Sequence, residues 1–294
     1  MPLELIPPSE YDHIIGFFEC HPKFTPFYNS LILDKEDVLA KAGWTNSTFS
    51  LYRFQTSASV FYFAIREIKG LRSNALCVFT GDFVEADFIK GFDKFMGYCH
   101  EPLQYIYGEY TLLESISSRI TNRHKTVQSC MYYINGEQRR ELVEDKIDEN
   151  LSGEFYLDDF DKEKELDMLH QSWHDGLGCY KEDLLGRLQC FPSCCIRKKN
   201  QPDIEPVSWQ FMAWFGQLNH TFTNSHYRCR GFARIVERKV CQEAIQKLNI
   251  IPFKFVNSDN DVANEWSKRA KYWTQVADSE GNPVFMGFLK FLDA

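Results

Sequence analysis

The chain has 294 residues, of which 44% are hydrophobic and 25% charged, with a formal net charge of −8 at pH 7. That is enough apolar material for one large core or two medium ones, and the acidic balance excludes broad nucleic-acid binding, which needs a basic surface. No stretch reaches the roughly 20 consecutive apolar residues that cross a bilayer, so no membrane partner is expected. The opening Met1-Pro2-Leu3-Glu4-Leu5-Ile6-Pro7-Pro8 has neither the basic nor the apolar region of a signal peptide. It also lacks the arginine-rich look of a transit peptide, since the first arginine is Arg53.

In chain order, residues 49–54, 59–65 and 75–80 are rich in Phe, Tyr and Val and predict strands. Residues 84–99 place Phe88, Phe92, Phe95 and Met96 at helical spacing, and 110–122 are a second helix candidate. Residues 127–134 predict a strand closed by the turn signal Asn135-Gly136. The acidic segment 137–153 follows, and a linker near 145–153 divides the chain into 1–150 and 151–294; the alternative is a solvated helix inside one continuous domain. Helices are expected over 163–173 and 181–190, and strands over 193–197, 207–213 and 217–223. A long helix over 230–248, a strand over 252–256 and a helix over 261–271 come next. The end reads as a hairpin, 273–277 and 284–291, around a turn at 278–283. Strands alternating with crossover helices give an α/β class with a mixed sheet.

Ten cysteines are spread along the chain without any C-x-x-C pair. They read as reduced, mostly buried thiols of an intracellular protein. His170 and His174 stand four apart on an expected helix, with Cys190, Cys194 and Cys195 following. Trp173 and Leu169 make that helix core-facing, so no metal is expected.

The most informative segment is His226-Tyr227-Arg228-Cys229-Arg230-Gly231-Phe232-Ala233, between an expected strand and the start of the long helix. A helix start leaves about four N–H groups without partners and carries partial positive charge, which suits a pyrophosphate. Gly231 lets backbone approach closely, and Arg228, Arg230 and Arg234 add fixed positive charge. An ordinary strand-to-helix turn with solvated arginines is the alternative.

Arg228-x-x-Gly231-x-Ala233 resembles the R/Q-x-x-G-x-G/A signature of the GNAT acyltransferases. The strand over 252–257 leading to Asn260-Asp261-Val262-Ala263 is similar to the second part of that core, where an asparagine opens a helix. Phe191-Pro192-Ser193-Cys194-Cys195-Ile196, then Pro206-Val207-Ser208-Trp209, Gly216-Gln217 and Tyr227-Arg228 resemble the glycine N-acyltransferase family over roughly 155–275. The resemblance implies two tandem GNAT-like domains, the first degenerate. It implies coenzyme A or acyl-CoA as co-substrate and no metal. The expected activity is transfer of the acyl group to the amine of glycine or another small amino acid. The alternative is a catalytically weak module that binds acyl-CoA without turnover. The family points to mitochondria; the missing transit peptide, at face value, points to the cytoplasm.

On this reading Thr221, Phe222 and Thr223 offer backbone to the pantetheine arm. Arg228, Cys229, Arg230, Gly231, Phe232 and Ala233 hold the phosphates, and Asn260 belongs to the same cofactor set. Lys198 and Lys199 are further candidates for the adenosine phosphates. Amide formation requires a neutral amine, and a general base helps by roughly 10²–10⁴-fold. The family's carboxylate position is Gln217 here, and an amide cannot accept a proton at useful pH. His220, placed by strand alternation on the face opposite Gln217, and His226 beside the turn are the titratable candidates. Ser267 stands where many GNAT enzymes carry a tyrosine acid, an absence the glycine-conjugating family shares.

Overall fold

The structure is a computed structural model and describes residues 2–147, 151, 153–172, 181–200 and 205–292. It separates into two compact units, Met1–Tyr133 with Phe255–Ala294, and Ile134–Lys254. The first part of the chain runs β1 (Glu4–Leu5), α1 (Tyr11–Glu19), α2 (Thr25–Lys35), α3 (Val38–Lys41), β2 (Ser47–Gln55), β3 (Ser59–Ile68), β4 (Ser73–Gly81), α4 (Glu85–Met96), β5 (Leu103–Glu109), α5 (Tyr110–Ser117), β6 (His124–Tyr133) and α6 (Gly136–Glu144). The rest runs β7 (Phe155–Asp158), α7 (Leu166–Ser172), α8 (Lys181–Cys190), β8 (Cys194–Lys198), β9 (Ser208–Met212), β10 (Leu218–Thr223), α9 (Phe232–Leu248), β11 (Phe253–Asn257), α10 (Asp261–Arg269), β12 (Thr274–Gln275) and β13 (Phe285–Phe291).

Apart from α3, α6 and β13, one element order occurs twice. A short strand and two helices precede three strands, then a helix, a strand, a helix and a strand. The pairing repeats as well. β1 lies antiparallel to β2 as β7 lies antiparallel to β8. β2–β3–β4 and β8–β9–β10 are antiparallel runs. β4 and β5 are parallel across α4, and a parallel bridge links Gln217 to Phe253 across α9.

In the first unit β3 shows why its sequence is almost continuously apolar. Phe61 and Phe63 lie against Phe88 of α4 on one face, with ring centroids 5.6 and 6.0 Å away. Tyr62 lies against Phe18 and Phe24 on the other, at 5.2 and 5.5 Å. A strand covered on both faces loses the polar half of its alternation.

The end of the chain departs from the expected hairpin. β13 inserts between β5 and β6, antiparallel to both, and β12 also pairs with β6 rather than with β13. The turn itself is closed by the bridge Ala277–Pro283, by Val284 N donating to Val276 O, and by bonds around Asp278, whose N–H donates to Asn282 O and whose Oδ1 accepts from Glu280 N and Asn282 N. The backbone groups of β5 and β6 offer β13 a longer ladder than β12 can, and burial follows the ladder. Gly287 marks the tight fit, because a Cβ there would come within 2.2 Å of Val127 O.

β5, α1 and α2 were not legible in the sequence. α2 is buried from Thr25 through Leu31, so no amphipathic stripe exists to read. α5 ends at Ser117, earlier than expected. Asn135-Gly136 is a helix start: the Asn135 side chain accepts from Glu137 N and Gln138 N, and Gln138 Oε1 accepts from Asn135 N, a reciprocal capping box. Residues 137–144 of the acidic segment therefore lie within α6, whose Leu142 is buried. Residues 148–150 and 152 of the expected linker lie outside the described residues.

Glu109, at the end of β5, is buried and accepts from Phe79 N and Lys23 Nζ, each at 3.2 Å. Burial pushes its carboxyl above the ordinary carboxylate value, against the pull of Lys23 and the Phe79 amide. A raised folded-state value means stability is fully present below the unfolded value and is lost as pH rises through the folded one. Replacing Glu109 with Gln, which keeps the acceptor and cannot ionise, is expected to remove that fall. Urea midpoints across pH 4–7 should be flatter in the variant than in the wild type.

Candidate functional site

β10 is an edge of the four-stranded sheet β10–β9–β8–β7 in the second unit. An edge strand carries a row of backbone N–H and C=O groups with no strand partner. Its register with β9 shifts between Asn219 and Phe222, and His220 has φ +53°. The bulge breaks strand alternation, so the expected placement of His220 on the face opposite Gln217 does not follow. Gln210 of β9, buried, clamps this bulge: its amide donates to Asn219 O at 2.6 Å, and its Oε1 accepts from the Thr221 hydroxyl. The Thr223 hydroxyl shares a hydrogen bond with Ser208 Oγ at 2.8 Å. Thr221 and Thr223 therefore both engage β9 side chains, leaving backbone as what β10 presents at its edge.

After Thr223 the chain makes one helical turn, Ser225–Tyr227, capped by the Asn224 side chain. Arg228 Nε donates to Thr223 O at 3.1 Å and ties the turn to the end of β10. Cys229 has φ +61° and Gly231 φ +80°. Gly231 is the N-cap of α9 and supplies no side-chain cap, so the Phe232 and Ala233 N–H groups start the helix uncapped. Phe155 anchors the turn from beneath, meeting Phe232 at 4.8 Å and Tyr227 at 5.9 Å. Arg228, Cys229 and Arg230 are exposed, and among the described residues Arg228 and Arg230 have no carboxylate partner. The first turn of α9 holds no acidic residue. Arginines crowding the positive end of a helix are electrostatically unfavourable unless an anion sits among them.

The histidines differ. His226 is exposed within the turn, and its Nδ1 lies 3.3 Å from Asn224 Oδ1. The Ser172 hydroxyl donates to Leu169 O, so Ser172 Oγ accepts from His220 Nε2 at 3.2 Å. Nothing in the sequence pointed to Ser172, at the end of α7. Arg197 of β8 holds the segment leading into that helix: Nη1 and Nη2 donate to the two Glu165 oxygens at 2.7 Å, and Nε donates to Asp158 Oδ2 of β7 at 2.7 Å. Gln217 sits directly after the turn Ala213–Gly216, its backbone held by Ala213 N at 2.8 Å and by the bridge to Phe253. Its side chain is 6% exposed and its Oε1 has no hydrogen-bond partner. Trp209 Nε1 is a second buried polar atom without one.

Asn260 lies in the first unit and caps α10, its Oδ1 accepting from Ala263 N at 3.1 Å. Ser267 is buried and donates to Ala263 O, so no acid stands there. Lys198 ends β8 and Lys199 follows it; residues 201–204 of that loop lie outside the described residues. His170 is on α7, whereas Trp173, His174 and Cys179 also lie outside them. Among the described residues no group of three or more His, Cys, Asp or Glu is placed to hold a metal ion. Six of the nine described cysteines are buried, and burial pushes the Cys195 thiol up to about 12. No described helix is long and apolar enough to cross a membrane.

No family model and no curated protein matches this chain. Solved structures do. A Drosophila protein superposes with a TM-score of 0.72 at 14% identity, covering 99% of this chain and 98% of that one. A GCN5-related N-acetyltransferase from Kribbella flavida gives 0.50 at 12%, covering 90% and 96%. One from Sphaerobacter thermophilus gives 0.51 at 10%, covering 98% and 94%. The fold is that of the GCN5-related N-acetyltransferases.

Within this GNAT fold the two crossovers differ. In the first, β4 and β5 are zipped from Ser73–Leu103 to Cys77–Gly108, where a Cβ on Gly108 would meet Cys77 O at 2.2 Å. Beyond that ladder Glu109 takes the Phe79 N–H. The first turn of α4 carries Glu85 and Asp87, which repel an anion. In the second crossover α9 is flanked by arginines, and a single parallel bridge, Gln217–Phe253, is found among the described residues.

Proposed function

We propose that this chain is an acyl-CoA-dependent N-acyltransferase of the glycine N-acyltransferase kind, built from tandem copies over 1–150 and 151–294, with the donor held by the second. The observation that carries the reading is the uncapped start of α9, set among Arg228 and Arg230 at the end of a bulged edge strand. The pyrophosphate of coenzyme A meets the N–H groups of Phe232 and Ala233 and the free edges of both guanidinium groups. His226 adds a polar group beside them. The β10 backbone runs alongside the pantetheine arm through Thr221, Phe222 and Thr223, and the thioester arrives near the bulge. The acceptor is a small amine such as glycine, and the family resemblance carries a mitochondrial address.

A panel of acyl-CoAs and amino acids, scored by free thiol release alongside calorimetric binding, tests the reading. The expected result is micromolar binding and thiol release with at least one amine. No binding of any acyl-CoA would sink it. One observation favours a second reading: Gln217 and Ser267 leave no acid–base pair at the positions where related enzymes carry one. Binding without thiol release for every amine would make the chain a carrier or sensor of acyl-CoA.

A further inference from the structure

β10 holds one residue more than β9 can match. Asn219 pairs with Phe211 and Phe222 with Trp209, so His220 and Thr221 stand together opposite Gln210. Such a bulge bends a strand and re-aims whatever follows it. His220 takes φ +53°, a left-handed backbone that a residue with a Cβ adopts only against a penalty. A conformation of that kind persists where its surroundings over-determine it. Gln210 is fully buried, and its carboxamide spans the extra residue: Nε2 donates to Asn219 O at 2.6 Å, and Oε1 accepts from the Thr221 hydroxyl. Beyond the bulge Phe222 stacks on Trp209 with ring centroids 4.2 Å apart, and Ser208 Oγ donates to Phe222 O at 2.9 Å. Without the extra residue every side chain after it would turn to the other face of the sheet, and the stack would be lost. The arginine turn has anchors of its own. Asn224 N donates to Val207 O at 2.9 Å, and Phe232 rests on Phe155 at 4.8 Å. Separate contacts thus fix the bulge and the turn.

We infer, resting on the acyl-CoA reading above, that Gln210 is a positioning residue. By holding the extra residue of β10 it sets the line of that strand's free edge, and so the path along which the arm of a bound acyl-CoA lies. Gln210 acts through the backbone of residues 219–221 and touches no ligand. An edge strand offers an extended ligand its unpaired N–H and C=O groups, and a relaxed bulge would shift them. Removing the carboxamide leaves Asn219 O and the Thr221 hydroxyl without that partner, which favours relaxation, because a buried polar group left unbonded is costly. The turn keeps its anion wherever the bulge goes. The two halves of the donor are therefore held by contacts that can be lost one at a time, the nucleotide phosphates at the arginine turn and the arm at the bulged edge.

The test uses the full chain and two ligands in calorimetry, an acyl-CoA and 3′-phosphoadenosine 5′-diphosphate, which is the donor without its arm. The wild type should bind the acyl-CoA more tightly than the fragment. Gln210→Leu, similar in volume and without hydrogen-bonding groups, should weaken the acyl-CoA about tenfold and leave the fragment within about twofold. Thr221→Val removes one of the two bonds and is the milder variant, with the same selective loss at about threefold; it carries the test if Gln210→Leu folds poorly. The backbone role is read at His220. Glycine adopts the left-handed backbone freely, so His220→Gly should bind acyl-CoA more tightly than His220→Ala. Equal loss for both ligands in every folded variant, or loss for neither, overturns the inference. An affinity in His220→Gly no better than in His220→Ala also overturns it, by assigning the effect to the imidazole and its bond to Ser172. A wild type that holds acyl-CoA no more tightly than the fragment overturns it as well, because the arm would not follow β10. A wild type that binds neither ligand overturns the acyl-CoA reading itself, and this inference with it.

Discussion

Replacing Gly231 with Asp is expected to weaken acyl-CoA binding at least about 100-fold, while the fold survives. The position has φ +80°, and a Cβ added there would meet no atom within 4 Å, so the cost to folding is conformational rather than steric. For a non-glycine residue in the left-handed region that cost is about 1–2 kcal/mol, and Asp is among the residues that tolerate the region best. The cost to binding is larger. The carboxylate would cap the N–H groups of α9 that the pyrophosphate needs and place a negative charge against it. Charge-assisted hydrogen bonds contribute about 1.5–3 kcal/mol each, and each 1.4 kcal/mol is tenfold in affinity. Replacement with Asn separates the effects, since Asn also tolerates the left-handed backbone but adds no charge. Calorimetric affinity should fall in the order Gly231, Asn, Asp, with melting temperatures within a few degrees of one another. Equal affinities across the three would remove the anion from this turn.

The largest effect on stability is expected at a pair that binding does not involve. Glu237 of α9 and Lys254 of β11 meet at 2.8 Å with side chains 1% and 8% exposed. Replacing Lys254 with Met removes a charged partner from the buried Glu237 carboxylate, and breaking a buried pair of this kind costs about 3–5 kcal/mol. For a chain of this size that corresponds to a fall in melting temperature on the order of 10 °C. The double replacement of Glu237 by Leu and Lys254 by Met should recover most of the loss, because an apolar pair of similar volume is often as stable as a buried ion pair. Calorimetric scans of the two variants decide the point: equal melting temperatures for the single and the double would show that packing, and not charge, holds this contact.

The strand-to-helix turn before α9 was legible in the sequence because everything that makes it is local. Arg228, Arg230 and Gly231 lie within four residues, and the strand before and the helix after carry strong periodic patterns of their own. The same is true of α8, read over its full length, and of Asn260, whose capping of α10 needs only the next few residues. Gln217 could be singled out by its position, but its orphaned oxygen could not, since whether a buried amide finds a partner depends on every element packed around it. His220 shows the limit from the other side. Strand alternation is a sound rule until a bulge adds a residue, and here Gln210 of β9, seven residues before Gln217, holds the extra residue in place.

The sequence by itself determined an α/β chain with an arginine-flanked turn opening a long helix in its second half, since local periodicity and turn chemistry are properties of neighbouring residues. Tertiary structure alone decided that β13 runs between β5 and β6, that β12 pairs with β6, and that the first crossover is zipped shut while the second carries the uncapped arginine turn. It also decided the partners of Arg197, Glu237 and His220. Backbone ladders and buried polar groups must be satisfied by whatever the whole fold brings within about 3 Å. For β13 those partners lie some 160 residues away in sequence, as Met286 paired with Ser129 illustrates, and no local pattern records them.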